Sequence, residues 1–213
     1  MISHGTSKEA DPDMVDPMGD AVRRGEGAHP AAWETLSRTE ETSCRIFSVI
    51  RKRCRHPKRG SEADFYVLDT SNWVNTVAVT SDGRMVMVEQ FRYGTESLSL
   101  EVTGGVMDLG EDPLTAAQRE LSEETGYVGR RSRLLGSVHP NPAIQSNTCH
   151  IVLIEDAERL VETDWDENEE LKVHLPTVDE VYAMAWAGRI THALTLNALL
   201  LYEPFRKVKG PVV

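Results

Sequence analysis

The stretch that decides the fold is residues 105–127, GVMDLGEDPLTAAQRELSEETGY. It predicts one helix with a clear beginning and end. Asp112 is a side-chain cap, and the proline that follows it occupies the first helical position, where a missing N–H costs nothing. Gly126 is a typical stop just past the last helical residue. Between these ends, apolar residues recur at i, i+3 and i+7 from Leu114, which predicts one buried stripe.

Three carboxylates share one side of this predicted helix. Glu120 and Glu124 are four residues apart and Glu123 is three from Glu120, so they converge beside the apolar stripe, where the helix would pack onto a sheet. Carboxylates this close repel one another unless a cation lies among them. Oxygen-only ligands favour a hard divalent ion, Mg²⁺ with Mn²⁺ possible, over zinc. We therefore predict that these glutamates are catalytic and bind a metal, rather than forming a merely acidic amphipathic helix.

The segment resembles the signature of the Nudix hydrolases, G-x5-E-x7-R-E-U-x-E-E-x-G-U, where U is a bulky aliphatic residue. Every Gly, Glu and Arg of the signature is present, and only Tyr127 departs from it. The resemblance implies that Gly104, before the first signature glycine, offers its carbonyl to the metal, and that Gly105 lets the backbone approach the substrate. It also implies that Glu111 and Arg119 pair to pin the loop to the helix, although Glu111 is equally a candidate metal ligand.

Composition excludes several classes of function. The 213 residues suit one domain of ordinary size plus appendages. With 34 acidic and 23 basic residues the net charge is −11, which disfavours general binding of nucleic acid or an anionic membrane. No apolar run has membrane-spanning length, and the N-terminus lacks the apolar core of a signal peptide. Three irregularly spaced cysteines fit reduced thiols and a cytoplasmic location.

The chain divides into a tail, a small module and a larger domain. Residues 1–30 are polar and rich in Gly, Pro and Asp, which predicts a disordered tail. Residues 31–70 are expected to form an N-terminal β-strand module, with strands at 43–50 and 64–70 flanking the basic run 51–60. That run could contact RNA, but a solvated hairpin in an acidic protein is the other interpretation.

Residues 71–213 are expected to form the Nudix domain. Ser81-Asp82-Gly83 predicts a turn that joins the first two strands into a hairpin. The predicted strands span 73–79, 84–91, 98–102, 134–138, 149–154 and 171–175, and helices follow at 177–186 and 194–202. A mixed sheet between helices is an α/β (α+β) fold and suits the Nudix α/β/α sandwich.

The resemblance extends beyond the signature. Gln90-Phe91-Arg92 and Leu100-Glu101 look like the Q-x-R and L-E pattern of ADP-ribose and nucleotide-sugar pyrophosphatases, and Gly188–Thr195 is similar to a C-terminal segment of the same enzymes. Arg92 is then a candidate for binding a substrate phosphate, because a guanidinium suits bidentate oxygens, with a surface ion pair as the alternative. Glu101 either hydrogen-bonds the substrate or braces the site.

A proline-marked loop follows the signature. The segment His139-Pro140-Asn141-Pro142 resembles a loop of the same subfamily, which makes Pro140 and Asn141 candidate substrate contacts. An ordinary polar loop is the alternative.

The general base is less clear. The resembling ADP-ribose enzymes carry a catalytic glutamate in this loop, but this chain has none between Glu124 and Glu155. The acidic stretch 164–170 offers substitutes, although it is otherwise a solvated loop. The candidate bases there are Glu167, Glu169 and Glu170.

The sequence thus predicts Mg²⁺-dependent hydrolysis of the diphosphate bond in ADP-ribose or a nucleoside-diphosphate sugar, giving a nucleoside monophosphate and a sugar phosphate. A nucleoside-triphosphate or alarmone pyrophosphohydrolase is the first alternative. A non-catalytic nucleotide-binding sensor is the second, and the complete set of signature carboxylates disfavours it. The resemblance also implies a homodimer, in which the N-terminal modules intertwine and each pocket takes residues from both subunits.

Overall fold

The computed structural model describes residues 30–165 and 170–206. The tail predicted over residues 1–30 therefore lies outside the described residues, apart from Pro30. The strands are β1 Glu34–Ser43, β2 Ser48–Arg55, β3 Glu62–Asp69, β4 Trp73–Val79, β5 Met85–Arg92, β6 Ser97–Val106, β7 Tyr127–Val128, β8 Arg131–Val138, β9 Cys149–Glu155, β10 Glu158–Arg159 and β11 Leu171–His174. The helices are α1 Pro113–Thr125, α2 Val178–Trp186 and α3 Ala193–Tyr202, and a 3₁₀ turn follows at Glu203–Phe205.

A six-stranded mixed sheet forms the centre of the larger domain. Its strand order is β11-β5-β6-β4-β9-β8, in which β4 and β9 are parallel and the other neighbours antiparallel. The predicted hairpin of β4 and β5 is only partial, since these strands pair at Ala78–Val86 and Val79–Met85 and then separate. They separate because β6 is inserted between them, pairing with β4 on one side and β5 on the other.

The core lies on both faces of this sheet. On one face, Met87, Ile151 and Leu153 pack with side chains of α2 and α3. On the other, Val74 and Ile154 pack with α1 through its apolar stripe. Helices therefore cover both faces, which confirms the predicted α/β sandwich with a mixed sheet.

Helix α1 begins and ends where its caps predict. The Asp112 carboxylate accepts hydrogen bonds from the N–H groups of Leu114 (2.9 Å) and Thr115 (3.2 Å). Gly126 ends the helix in the left-handed region at φ 74°, and its N–H donates to the Ser122 carbonyl. The loop before the helix and the helix itself are thereby fixed relative to each other.

The N-terminal module is a three-stranded antiparallel sheet in the order β1-β2-β3. The strand predicted at 43–50 is displaced, because β2 spans Ser48–Arg55 and takes up half of the basic run. Neutralisation by acidic neighbours explains this: Arg53 lies 3.2 Å from Asp64, and Arg55 lies 2.8 Å from Glu62. These ion pairs are solvated, as the hairpin interpretation expected.

The module contacts the domain at its third strand. The Leu68 N–H donates to the Ile144 carbonyl (2.7 Å), and the Ser146 hydroxyl donates to Asp69 (2.6 Å). The end of β3 is therefore attached to the loop that precedes β9. Cys44, Cys54 and Cys149 are all free thiols. Among the helices formed by the described residues, none has both the length and the hydropathy to cross a bilayer.

Candidate active site

A cavity of about 750 Å³ opens between the module, the central sheet and the start of α3. The sheet contributes Arg92, Glu101 and the Gly104-Gly105 backbone, and the module contributes apolar side chains. Further lining residues include Ile46, Phe47, Leu68, Gln145 and His192. A cavity of this size lies within the usual range for small-molecule sites.

Arg92 and Glu101 form a bidentate ion pair in this cavity. The Arg92 Nε and Nη2 donate to the two Glu101 oxygens at 2.9 and 2.6 Å. The Glu101 side chain is 1% exposed and that of Arg92 44%. The register of β5 with β6 places the pair, because Val88 lies opposite Glu101 and Arg92 continues along the same face. The carboxylate therefore fixes the orientation of the guanidinium.

His192 completes this group from the start of α3. Its Nδ1 lies 3.3 Å from Glu101 and 3.0 Å from the Thr195 hydroxyl. Burial lowers the pKa of His192, which outweighs the opposing effect of the Glu101 charge. Burial alone would raise the pKa of Glu101, but the hydrogen bond from Arg92 and the neighbouring positive charges bring it below its usual value. The pair is therefore ionised and the imidazole neutral at neutral pH.

Two of the three predicted metal glutamates lie against Gly104 and Gly105, which the structure places near the end of β6. Glu124 is 6% exposed, and its Oε2 accepts the N–H of Gly104 at 3.2 Å. The Glu120 carboxylate lies against Gly105 so closely that a Cβ at that position would come within 2.4 Å of it. Only glycine at position 105 leaves room for this carboxylate.

The third glutamate, Glu123, faces outward and contacts Arg119. The Arg119 Nη1 donates to Glu120 at 2.8 Å and to Glu123 at 3.1 Å. Its Nε and Nη2 donate to the two Glu111 oxygens, each at 3.0 Å, so the predicted pair is present and Glu111 braces the loop. These hydrogen bonds lower the pKa of Glu111 and raise that of Arg119.

The donor set suits a hard cation, although the side chains are held by other partners. Across residues 30–165 and 170–206, no three carboxylate, imidazole or thiol groups meet in a metal-holding arrangement. Glu120 and Glu123 are held by Arg119, and Glu124 by the Gly104 N–H. Every candidate ligand supplies oxygen, which is the chemistry that Mg²⁺ and Mn²⁺ prefer.

The proline-marked loop contributes to the cavity differently from the sequence prediction. Among the described residues that line the cavity, neither Pro140 nor Asn141 appears, whereas Gln145 does. The Asn141 carbonyl accepts the N–H of Gln145 at 2.7 Å and that of Ile144 at 3.1 Å. The loop therefore folds so that Asn141 supports the backbone of a cavity residue, since local hydrogen bonding turns the chain there.

Of the three candidate general bases, Glu170 lies within the described residues. Glu167 and Glu169 lie outside the described residues. Glu170 is exposed and comes directly before β11, which pairs with β5 from Leu171 opposite Gln90. On the other side, Asp164 and Trp165 hydrogen-bond to the C-terminal end of α1.

Sequence reasoning did not single out several cavity residues. His192 lies in the segment Gly188–Thr195, whose similarity to the ADP-ribose and nucleotide-sugar pyrophosphatases could have indicated it. No sequence signal indicated Ile46 and Phe47, because apolar residues near the start of a strand look alike whether or not they line a cavity. They reach the cavity only through the tertiary placement of the module.

Comparison with known proteins places the chain in a family. The NUDIX domain family matches residues 72–196. An ADP-ribose pyrophosphatase from Bacillus subtilis is 31% identical over 127 residues, 59% of this chain and 69% of that protein. An ADP-sugar pyrophosphatase from Mus musculus is 39% identical over 70 residues, 33% of this chain and 32% of that protein. A crystal structure of an ADP compounds hydrolase shares the fold, with a TM-score of 0.76 at 23% identity over 87% of this chain and 100% of that one. The chain therefore belongs to the Nudix hydrolase family.

Proposed function

We propose that this Nudix hydrolase cleaves the diphosphate bond of ADP-ribose or another nucleoside-diphosphate sugar, giving a nucleoside monophosphate and a sugar phosphate. The observation that carries the proposal is the oriented Arg92–Glu101 pair, in a cavity that also contains the Gly104-Gly105 backbone. The relatives named as ADP-ribose and ADP-sugar pyrophosphatases support this substrate class.

Arg92 is the proposed phosphate ligand. Glu101 occupies its Nε and Nη2, and within the described residues Nη1 has no hydrogen-bond partner. Nη1 is therefore available to donate to a phosphate oxygen of the substrate. Glu101 acts in this proposal as the brace that the sequence left as one of two alternatives.

Glu120, Glu123, Glu124 and the Gly104 carbonyl are the proposed ligands of a divalent cation, Mg²⁺ with Mn²⁺ possible. When bound, such an ion neutralises diphosphate charge and activates water. Glu120 and Glu124 lie against Gly105 and Gly104, and these glycines line the cavity that contains Arg92. Gly105 lets the diphosphate approach the backbone closely. Glu167, Glu169 and Glu170 remain the proposed sources of the general base.

The proposed assembly is a homodimer formed through the N-terminal module. Between residues 30 and 70 only Ile50 and Cys54 are buried, so the module has little core for an independent domain. Strand β1 is exposed along its whole length, and Trp33, Leu36, Phe65 and Tyr66 expose large apolar surfaces. A second copy would cover these surfaces and add residues to the cavity that the module lines.

The experiment that tests the function compares sugar diphosphates, ADP-ribose and nucleoside triphosphates in the presence of Mg²⁺. We expect kcat/KM for at least one diphosphate-linked sugar to exceed that for every triphosphate by about tenfold or more, or about 1.4 kcal/mol of transition-state binding. EDTA should abolish turnover, and Mg²⁺ should restore it. Faster turnover of triphosphates or alarmones would favour the alternative hydrolase.

The metal ligands are tested separately. Glu124→Gln should lower kcat by about 10³-fold, the scale expected when a major electrostatic stabiliser is lost. Glu158→Gln is the matched control, because its carboxylate lies 3.5 Å from Arg130 in an exposed surface pair. Near-native activity of Glu124→Gln would contradict the metal assignment.

A further inference from the structure

The C-terminal turn of α1 is capped by a different segment of the chain. The last carbonyls of a helix have no partner within it and need one from elsewhere. The Ser122 carbonyl accepts the Gly126 N–H at 2.9 Å. The next two carbonyls, those of Glu123 and Glu124, accept the Asp164 N–H at 2.9 Å and the Trp165 Nε1–H at 2.9 Å. Both belong to residues whose side chains are proposed metal ligands.

The capping segment is closely attached to the helix end. The N–H groups of Leu160 and Val161 both donate to the Gly126 carbonyl, at 3.0 and 3.2 Å. A Cβ at Gly126 would come within 2.4 Å of the Val161 carbonyl oxygen, so the two backbones are in direct contact. Strand β10 continues this attachment by pairing with β7. Trp165 therefore follows a backbone segment that is hydrogen-bonded to the end of α1.

Of the donors to the Ser122, Glu123 and Glu124 carbonyls named above, the indole is a side chain and the other two are backbone N–H groups. Its Nε1–H is a donor with no acceptor function, so its hydrogen bond fixes the Glu124 carbonyl in one direction. The Glu124 side chain leaves the same residue toward the sheet, where Oε2 accepts the Gly104 N–H. Glu124 is therefore held at its backbone by Trp165 and at its carboxylate by the Gly104 N–H.

We propose that Trp165 is a positioning residue for the metal site: its N–H fixes the backbone of Glu124, and thereby the carboxylate that binds the cation. The inference rests on the proposed function, since it requires Glu124 to be a ligand. Trp165 itself touches neither the cation nor the substrate in this role.

Trp165→Phe tests the role, because it keeps an aromatic ring and removes the donor. Trp186→Phe is the matched control, since that ring is 86% exposed and, in the part of the chain that the structure describes, its N–H has no acceptor. Mn²⁺ binding is measured directly by electron paramagnetic resonance, and the Mg²⁺ dependence of turnover by steady-state kinetics. We expect Trp165→Phe to raise the Kd for Mn²⁺ and the half-saturating Mg²⁺ concentration about fivefold, the effect of losing one ordinary hydrogen bond. KM for the substrate at saturating Mg²⁺ should not change.

The outcomes distinguish a failure of the Trp165 role from a failure of the proposed function. If wild-type protein binds Mn²⁺ and turns over, but Trp165→Phe binds Mn²⁺ equally well, the positioning role is overturned. The same holds if only the unfolding midpoint falls, because Trp165 would then contribute to stability alone. If the wild-type protein neither binds Mn²⁺ nor hydrolyses any sugar diphosphate, the proposed function fails and the role of Trp165 fails with it.

Discussion

Glu101→Gln removes the charge from the most buried ion pair of the cavity while keeping the shape of the side chain. Glutamine offers one carbonyl oxygen to Arg92 and turns an NH₂ group toward its other N–H, so one of the two hydrogen bonds is lost. A hydrogen bond to a charged group contributes about 1.5 to 3 kcal/mol. Because the Arg92 side chain is 44% exposed, water and salt reduce the loss to about 1 to 2 kcal/mol. For a chain of this size, that lowers the Tm by roughly 2 to 8 °C.

The pH dependence gives this prediction a second test. The folded-state pKa of Glu101 lies below its ordinary value, because the bond from Arg92 and the nearby positive charges outweigh the effect of burial. Its contribution to stability is therefore complete above the unfolded-state pKa of about 4.3 and is lost as the pH falls through the folded-state pKa. Glutamine does not titrate, so the difference between wild type and variant should be largest at pH 7 and should shrink below about pH 4.

Urea denaturation followed by circular dichroism at pH 7, 5 and 4, and just below, measures this difference, with Glu158→Gln as the surface control. Equal stability of wild type and Glu101→Gln at pH 7 would show that the pair contributes nothing. A difference that stays constant into acid would show that the charge is not its source. We also expect kcat/KM to fall about tenfold, since Arg92 loses its fixed orientation.

The two glycines of β6, the N-terminal module and the candidate bases can each be tested by variants. Gly104→Ala should abolish folding or strongly lower the Tm, because its Cβ would come within 2.2 Å of a β4 carbonyl oxygen. Gly105→Ala should change the Tm little and lower kcat about tenfold by displacing Glu120. Thermal shift and kinetics measure both effects, with Glu158→Gln as the surface control. Deleting residues 1–28 should leave an active dimer in light scattering, whereas deleting residues 1–70 should give an aggregating or inactive chain. A stable, active full-length monomer would contradict the proposed assembly. If Glu167, Glu169 or Glu170 is the general base, its Gln variant should lose kcat with little change in KM. If all three variants stay active, the base lies elsewhere.

Local signals explain what the sequence predicted well. The ends of α1 were predicted to the residue because Asp112 and Gly126 act on backbone groups within a few positions of themselves. Strands β4, β5 and β9 were predicted close to their observed bounds because each is mostly apolar. The more polar β6 and β8 are longer than the predicted spans 98–102 and 134–138. The pairing of Glu111 with Arg119 was implied by the family resemblance, and the structure contains it.

Non-local pairing explains what the sequence did not reveal. Strand β1 is polar and exposed throughout, so no periodicity marks it, and it is a strand because β2 pairs with it. The contact of Arg92 with Glu101 depends on the register of two strands, and that of His192 with Glu101 on the docking of α3. Gln145 enters the cavity through hydrogen bonds that no composition rule predicts.

The position of β4 has a consequence for the synthesis of the protein. This strand lies between β6 and β9, but β9 begins about 70 residues after β4 ends. At ordinary rates of translation the ribosome needs roughly 4 to 14 s to make that interval. During this time one edge of β4 has no native partner, and Val74 and Val77, which the finished fold buries completely, belong to an open sheet. Strand β8 is made earlier than β9 yet can join only through it. Nascent chains that stop before Cys149 should consequently be the species that chaperones retain, and completion of β9 should be the event that releases them.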